Sequence, residues 1–355
     1  IAAKEIVDRM EQLIATTGTT GFHFVDEAAP PALMREIAIE IIKRKLTVSW
    51  WTNIRFEKSF TLDLCRLLKA SGCIAVSGGL EVASDRLLKL IDKGVTVEQV
   101  ARVNRNFTEA GIMVHAYLMY GFPTQTAQET IDSLEMVRQM FEVGIMQSGF
   151  WHQFAMTAHS PVGMNPESFD VINHSTTLGT FANNDMIHED KSGAVHDKFS
   201  FGLKKSLFNY MHGLCFDFQL QEWFEFKVPR TKIEPDYIVS VLENEPFQTY
   251  KATQKVVWLG SLPTLETFTK TKKGKSFEKA QLTFHSKHNL LDIELDLEVG
   301  QWLQNFLQEL KQSPKGVLSF AQMKQSFEAQ TSEDFEPFMF TKQAEQLRDF
   351  GLLII

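Results

Sequence analysis

The stretch that decides the fold is residues 72–126, which begins GCIAVSGGLEVASDRLLKLIDKGVT and ends AGIMVHAYLMYGFPTQT. Residues 73–77 and 112–119 are short apolar runs, typical of buried strands. A glycine-containing break follows each run, and amphipathic helical patterns come after the breaks. Two strand–loop–helix units in tandem predict parallel strands, whose carboxyl ends carry the loops where ligands usually bind.

Potential capping residues predict where the helices of this stretch begin. Ser84 precedes one helical pattern, and Thr96 with Gln99 fits a capping box at the start of a second. Thr126 and Glu129 form the same pattern at a third helix. These signals support the division of the stretch into alternating strands and helices.

The same unit recurs through the first 160 residues. Further strands are predicted at residues 22–25, 47–52 and 145–154, and most of the five strands follow a glycine that ends a helix. Strand starts about 26 to 40 residues apart are typical of repeated βα units. Five such strands fit either a small open α/β sheet or a barrel that lacks its first strand.

The rest of the chain changes in texture. Alternating segments at residues 281–285 and 291–297 predict a hairpin with its turn at residues 286–289. A basic cluster precedes it, and we interpret this cluster as a solvated loop rather than a phosphate-binding patch. Its residues are Lys270, Lys272, Lys273 and Lys275. The predicted regions are a barrel at 1–162, a mostly helical linker or wrap at 163–250, a β-hairpin region at 251–300 and a small helical, winged-helix-like tail at 301–355.

Composition narrows the class of protein. The 355 residues carry a net charge of −8, which argues against nucleic acid as the main partner. No apolar run is long enough for a membrane span, so no membrane partner is expected. The three cysteines, at positions 65, 73 and 215, have no ligand-like spacing, which predicts no metal site and indicates a cytoplasmic location. The chain begins inside an amphipathic pattern without a methionine, so we expect a fragment of a longer protein.

Four motifs resemble those of the radical SAM superfamily. The stretch GGLEVASDRLLKLIDKGVT is similar to its pattern GIESGSxxxLxxxxKG, and AGIMVHAYLMYGFPTQT to its pattern AGIxVxxxxMxGFPGET. FHFVDE at 22–27 resembles the family's second-strand motif, and WWTNIR at 50–55 its third-strand motif. The matches follow the family's order over roughly residues 1–160, and they most resemble the branch that often carries an upstream cobalamin-binding domain.

This resemblance implies a fold and a chemistry. The fold is α/β, a partial (β/α) TIM-like barrel of parallel strands, followed here by a C-terminal α+β region. Family members hold a [4Fe-4S] cluster and S-adenosylmethionine (SAM) at the carboxyl ends of the strands, and a 5′-deoxyadenosyl radical abstracts hydrogen from the substrate. The parent protein would therefore be an iron-sulfur oxidoreductase that needs an electron donor, with cobalamin as a further candidate cofactor. The substrate, a small molecule or a peptide, is not indicated.

The resemblance also assigns SAM contacts position by position. Asp26 and Glu27 would lie near the amino group of SAM, and the glycine turn after the fifth family strand would lie near its adenine. The segment 156–161 would reach the nucleoside. No catalytic residue is assigned. The implied SAM-binding residues are Asp26, Glu27, Asn53, Arg55, Ser77, Glu81, Gly121, Phe122 and Pro123.

The chain departs from the family pattern at the cluster. The family binds its cluster through CxxxCxxC after the first strand, and this chain contains no such motif. Cys65 lies on a predicted helix and Cys73 begins a predicted strand, so neither can substitute. Smaller departures are Val82, Thr124 and Gln125. We therefore expect a fragment that is inactive alone and whose cluster loop lies upstream of residue 1.

Two other functions stay open. The chain could be a non-catalytic relative that keeps the barrel as a binding scaffold, or a metal-dependent barrel hydrolase that uses Asp26, Glu27 and barrel histidines. The carboxylates Asp26 and Glu27 could instead cap the following segment. Four histidines follow strand patterns and face either the barrel interior or the core. They are His23, His115, His152 and His159.

Overall fold

The computed structural model describes residues 2–175, 184–191, 195–244, 249–286, 290–313 and 316–355. Its first part is a five-stranded, all-parallel sheet whose strands neighbour one another in chain order. The strands are β1 (Gly21–Phe24), β2 (Ser49–Ile54), β3 (Cys73–Glu81), β4 (Met113–Tyr120) and β5 (Ser148–Gln153). The predicted partial α/β barrel is confirmed, with strand ends displaced by up to four residues.

Helices connect the strands and cover one face of the sheet. The caps expected from the sequence are present at Ser84, Thr96 and Thr126, although only Thr126 forms a complete capping box. At Thr96 the Gln99 side chain is used elsewhere, and its amide nitrogen donates to the carbonyl of Phe56 at 2.8 Å. The helices are α1 (Ala3–Thr17), α2 (Pro31–Lys43), α3 (Leu62–Ala70), α4 (Asp85–Leu90), α5 (Val97–Glu109) and α6 (Ala127–Glu142).

Alternation along the strands separates two faces of the sheet. Trp50, Val76 and Val114 are fully buried against the helices, whereas their neighbours Trp51 and Met113 are exposed. The exposed positions form the inner face of the open barrel, because successive side chains of a strand point to opposite sides. The core therefore lies outside the sheet, between strands and helices, and the inner face is left accessible.

One glycine fixes the entry to β3. Gly72 has a φ of +97°, and a Cβ at this position would lie 2.0 Å from the carbonyl oxygen of Val48. Only glycine can let the two backbones approach this closely. The same close approach of the two backbones lets the Trp50 N–H donate a hydrogen bond to the Gly72 carbonyl at 3.0 Å.

The described residues between 154 and 244 pack beside the barrel, against β5 and against helices α5 and α6. The sequence pattern predicts helices around residues 202–214 and 235–242, and both are present, with ends displaced by one to three residues. The strands β6 and β7 pair antiparallel, and sequence reasoning missed them because each is only three residues long. The elements are α7 (Pro161–Met164), β6 (Val171–Asn173), β7 (His188–Asp190), α8 (Ser200–Met211) and α9 (Tyr237–Glu243).

The remaining residues build a second hydrophobic core. The basic cluster is not a loop: Lys270 and Lys272 end strand β9, and Lys275 begins strand β10 of a long exposed hairpin. The loop interpretation was wrong because charged residues at the exposed end of a hairpin give the same sequence pattern as a solvated loop. Of the turn predicted at residues 286–289, residues 287–289 lie outside the described part of the chain.

This region contains six strands and four helices among its described residues. Its strands are β8 (Lys255–Trp258), β9 (Thr264–Lys272), β10 (Lys275–His285), β11 (Leu290–Asp296), β12 (Leu318–Ser319) and β13 (Leu352–Ile354). Its helices are α10 (Leu297–Gln312), α11 (Phe320–Gln330), α12 (Phe335–Met339) and α13 (Lys342–Phe350). The sequence pattern predicts tail helices at residues 302–311, 320–328 and 341–349, which correspond to α10, α11 and α13, and α12 was missed.

The tail is fastened to the barrel. The Ile354 N–H donates to the buried carboxylate of Asp63 at 2.9 Å, and Arg66 pairs with Asp349 at 2.9 Å. Burial raises the pKa of Asp63. These contacts join helix α3 to the end of helix α13 and to strand β13. The C-terminal strand therefore packs on the barrel helices. The boundaries of the four regions stay a prediction. No helix in the described ranges is long and apolar enough to cross a membrane.

Candidate functional site

The inner face of the barrel carries three rows of side chains in register across the strands. The lower row consists of His23, Trp51, Ala75 and Met113. The polar row, one step nearer the carboxyl ends, consists of Asn53, Ser77, His115 and Ser148. The upper row consists of Gly79, Tyr117 and Phe150. Parallel pairing sets this order, because matched residues on adjacent strands point to the same side.

The polar row is tied together at one end. The Nδ1 atom of His115 lies 2.8 Å from the Oγ of Ser148. Burial lowers the pKa of His115, so its imidazole is neutral at pH 7. A neutral imidazole with one nitrogen occupied presents the other nitrogen as a donor or an acceptor. Two of the implied SAM contacts, Asn53 and Ser77, lie in the same row.

Two carboxylates lie at the rim after strand β1. The side chains of Asp26 and Glu27 are exposed, and no ion pair involves either of them among the described residues. The Asn53 amide donates to the backbone carbonyl of Asp26 at 3.2 Å, which holds the β1 loop against the end of β2. Asp26 and Glu27 are therefore free to bind a cation, and Asn53 positions the loop that carries them.

At the rim after β2 and β3, the charged side chains already form contacts with another loop of the protein. Arg55 donates to the backbone carbonyl of Lys93. The ammonium of Lys93 lies 2.7 Å from a carboxylate oxygen of Glu81. Glu81 has a φ of +57°, and its side chain folds back over Gly79, where an added Cβ would lie 2.0 Å from the carboxylate. Arg55 and Glu81 thus hold one loop to another, and their implied contact with SAM stays a prediction.

The Gly121–Phe122–Pro123 turn after β4 is held by a buried side chain that follows it in the sequence. The side-chain oxygen of Gln125 accepts hydrogen bonds from the backbone N–H groups of Gly121 and Phe122 at 2.8 and 3.1 Å. Phe122 is buried and packs edge-on against Phe154. The departure at Gln125 therefore keeps an acceptor for the turn. The role of this turn in SAM binding, as implied by the resemblance, stays a prediction.

A histidine that the sequence did not single out lies on this turn. The ring of His196 covers Gly121, where an added Cβ would lie 3.2 Å from the ring. His196 is buried, and neither ring nitrogen has a hydrogen-bond partner within the described residues. Its Nε2 lies 3.9 Å from a carboxylate oxygen of Asp190, and burial outweighs Asp190 and lowers the pKa of His196. No spacing in the sequence predicts this contact, because a distant segment brings His196 to the turn.

The other strand histidines are divided between stacking and surface positions. His23 packs against Trp51 in a tilted arrangement with ring centroids 4.4 Å apart, and His152 lies opposite Met119 near the end of β5. His159 is exposed. In the described ranges no three His, Cys, Asp or Glu side chains converge closely enough to hold a metal ion.

The cysteines do not fit an iron-sulfur cluster. Cys65 and Cys73 are buried in the core on the helix side of the sheet, and Cys215 is half-buried beside Asn209. Burial raises the pKa of the Cys73 thiol to about 12 and that of Cys65 well above its ordinary value. Cluster ligands are thiolates. The three thiols are not grouped at the strand ends, and Cys65 and Cys73 are not easily ionised, so no step through a cluster can be assigned to them.

Comparison with known proteins agrees with the motifs. The model of the radical SAM superfamily matches residues 2–137. The anaerobic magnesium-protoporphyrin IX monomethyl ester cyclase of Rubrivivax gelatinosus is 31% identical over 140 residues, which are 38% of this chain and 25% of the cyclase. An uncharacterised methyltransferase of Pyrococcus horikoshii is 23% identical over 141 residues, 39% of this chain and 30% of that protein. The chain thus spans less than a third of the length of these relatives.

Among solved structures, the radical SAM methyltransferase TsrM of Kitasatospora setae, bound to tryptophan and a SAM analogue, is similar to 59% of this chain. The similarity covers 45% of TsrM, at 17% identity and a TM-score of 0.44. The coproporphyrinogen III oxidase HemN of Escherichia coli has 15% identity and a TM-score of 0.36 over 51% of this chain and 43% of HemN. Residues 2–137, the range that matches the radical SAM superfamily model, contain strands β1 to β4 of the parallel sheet.

Proposed function

We propose that this chain is the SAM-binding part of a radical SAM enzyme, and that SAM binds at the rim formed by the ends of β1 and β2. The observation that carries the proposal is the pair of exposed carboxylates Asp26 and Glu27, which lie in the matched region and have no described cationic partner. The ammonium of a bound amino acid would supply the missing positive charge.

The charges at the rim favour the loop after β1 over the loops after β2 and β3 as the SAM site. Arg55 and Glu81 are already occupied by contacts to Lys93. A new ligand there would have to displace an existing hydrogen bond or ion pair, whereas at Asp26 and Glu27 it displaces only water. Charge-assisted hydrogen bonds to ammonium groups are shorter and stronger than neutral ones. SAM would therefore be anchored by its amino acid part, and its nucleoside would extend along the ends of the neighbouring strands.

The cluster would be held by residues other than the three cysteines of this chain. We propose that the chain alone neither binds iron nor cleaves SAM, and that hydrogen abstraction belongs to the complete enzyme. That enzyme would need an electron donor, and cobalamin is a candidate second cofactor. A cytoplasmic location is part of the same proposal. The activities for which the relatives are named, cyclisation of a porphyrin ester and methylation, mark the range of reactions to be considered.

Titration calorimetry with SAM tests the binding step. Replacing both carboxylates (Asp26→Asn with Glu27→Gln) should weaken binding by roughly tenfold or more, because two charge-assisted contacts are lost. The matched control is Glu225→Gln, which removes an exposed carboxylate with no described partner elsewhere on the surface. Equal affinity of the double variant and the control would refute the site.

A second measurement separates the enzyme from a non-catalytic scaffold. The burial of Cys65 and Cys73 is compatible with both. Iron content and 5′-deoxyadenosine formation should be absent from the 355-residue chain and present in the full-length parent protein. A parent protein that binds SAM but no iron would favour the scaffold. Iron bound by this chain alone, in proportion to its thiols, would contradict the proposal.

A further inference from the structure

Strand β9 lies at the open edge of a sheet. The three-stranded sheet of the second core has the order β11–β10–β9, so within the described part of the chain β9 has a neighbouring strand on one side only. Eight of its nine residues are exposed, and Leu265 is half-buried. The strand is longer than the usual five or six residues. An unpaired edge of this length is a template for pairing with another chain.

Most of this edge lacks the features that usually protect a free strand. Natural sheets block their edges with proline, bulges or lysine. Residues 264–269 contain no proline and no lysine, and β9 pairs with β10 without a bulge along its whole length. Lysine occurs only toward the hairpin tip, at Lys270 and Lys272. Phe268, at the centre of the strand, is 38% exposed. The strand is therefore accessible to a further strand.

The hairpin turn decides which backbone groups of β9 point outward. Lys273 and Gly274 form a two-residue turn with φ values of +51° and +75°, both positive as a type I′ turn requires. The flanking residues Lys272 and Lys275 are then a hydrogen-bonded pair, and such pairs alternate with non-hydrogen-bonded pairs along the ladder. The even-numbered residues of β9 therefore bond to β10. The backbone N–H and C=O groups of residues 265, 267, 269 and 271 point away from the sheet.

A second copy of β9 matches this edge in one register. When two copies run antiparallel about a twofold axis at Phe268, all nine residues overlap. Thr267 of one copy then faces Thr269 of the other, and Leu265 faces Thr271. These are the residues whose backbone groups point outward, so each such pair exchanges two hydrogen bonds. Among the described residues, no other hydrogen bond reaches these backbone groups.

The same register pairs opposite charges. It places Glu266 of each copy opposite Lys270 of the other, and Phe268 opposite its own counterpart. Glu266 is exposed and forms no ion pair within the described ranges. Lys270 contacts Glu294 of its own chain at 2.8 Å, and its flexible, exposed ammonium can bridge two carboxylates. Opposite charges and aromatic rings directly across two strands stabilise a sheet. A shift of two residues in either direction loses the Phe268 pair and shortens the overlap.

We propose that this chain forms a twofold symmetric dimer through β9, which joins two three-stranded sheets into one six-stranded antiparallel sheet. The partner is a second copy because the edge is complementary to itself, as a twofold interface requires. The interface belongs to the second core and lies outside the three rows of the barrel. The inference therefore goes beyond the proposed function and does not depend on SAM binding.

Analytical ultracentrifugation of the 355-residue chain over a concentration series tests the dimer. The wild type should show a monomer–dimer equilibrium. Glu266→Lys and Lys270→Glu each place like charges opposite one another at two pairs, and each should raise the dissociation constant by roughly tenfold or more. The matched control Glu225→Lys makes the same charge change at an exposed position outside β9 and should leave the dissociation constant unchanged.

A mixture of the two charge variants gives the sharpest readout. A dimer with one copy of each variant has opposite charges at both pairs again, so the mixture should dimerise like the wild type, a recovery that misfolded variants could not show. Thr267→Pro removes an outward N–H while leaving the bonds to β10, and it should also weaken the dimer about tenfold. Circular dichroism checks its fold.

Three results would overturn the inference. The first is a wild-type chain that stays monomeric at every concentration, which would leave the edge to an extended segment of another protein. The second is a dimer that none of the β9 variants weakens, because the two copies would then meet through another surface. The third is a mixture of the two charge variants that stays monomeric, because the proposed register would then be wrong.

Discussion

The ammonium of Lys93 lies 2.7 Å from the carboxylate of Glu81, and both side chains are mostly buried at the end of strand β3. This pair closes the loop after β3 over Gly79, the position where a side chain would collide with Glu81. A residue implied as a SAM contact is thus also a structural residue of the loop. The two roles predict different responses to substitution.

Removal of the cation should destabilise the protein slightly. Lys93→Met leaves the Glu81 carboxylate partly buried without its partner, so the free energy of unfolding should fall by about 1 kcal/mol. Urea denaturation measures the change, and Lys58→Met is the control because Lys58 is exposed with no described partner. Should both variants unfold at the same urea concentration, the pair contributes nothing to stability.

Gln125 should be the most sensitive residue of the Gly121–Phe122 turn. Gln125→Leu would leave two backbone N–H groups without an acceptor, and the expected loss is about 2–4 kcal/mol of unfolding free energy. Gln125→Glu keeps an acceptor for both groups but loses the donor to Thr130, so it should cost less than the leucine substitution and still destabilise the protein. Thermal unfolding of the two variants gives the comparison directly. A leucine variant as stable as the glutamate variant would show that water replaces the side-chain oxygen.

His196 should make the protein less stable in acid. Because burial lowers its pKa in the folded state, the unfolded chain takes up a proton first as the pH falls below 6.5. The stability of the wild type should therefore decrease as the pH falls from 6.5 toward the lowered pKa, and His196→Leu should lack this decrease.

The same variant should be equal to the wild type or up to about 1 kcal/mol more stable near pH 7, since it removes two buried nitrogens that form no hydrogen bond within the described residues. Urea unfolding at several pH values between about 5 and 7.5 measures both effects. His159→Leu is the control, because His159 is exposed. Parallel pH curves for the wild type and His196→Leu would contradict the prediction.

The thiols should react in two classes. Cys215 is partly exposed, whereas Cys65 and Cys73 are buried with raised pKa values. A thiol reagent should therefore modify one cysteine of the native protein quickly and the other two only after unfolding, because the thiolate is the reactive form. Cys215→Ser should remove the fast phase. Rapid reaction of all three cysteines in the native state would show that the core opens on the time scale of the assay.

The sequence determined the local elements and their order. Glycine breaks, caps and apolar runs located the five parallel strands to within a few residues, since these signals depend on backbone conformation and periodicity near each residue. The motifs located the carboxylates Asp26 and Glu27 at a strand end. The absence of a cluster motif could also be recognised from the sequence, because the motif depends only on the presence and spacing of cysteines.

Only the tertiary structure decided which residues meet. The contact of His196 with Gly121, the pairing of Lys93 with Glu81 and the use of Gln125 as an acceptor join groups through folded loops, and composition or spacing does not encode such contacts. The row from Asn53 to Ser148 likewise exists only through the register of four strands. Register is set by the packing of the whole sheet, and a slip of one residue would turn every one of these side chains to the other face.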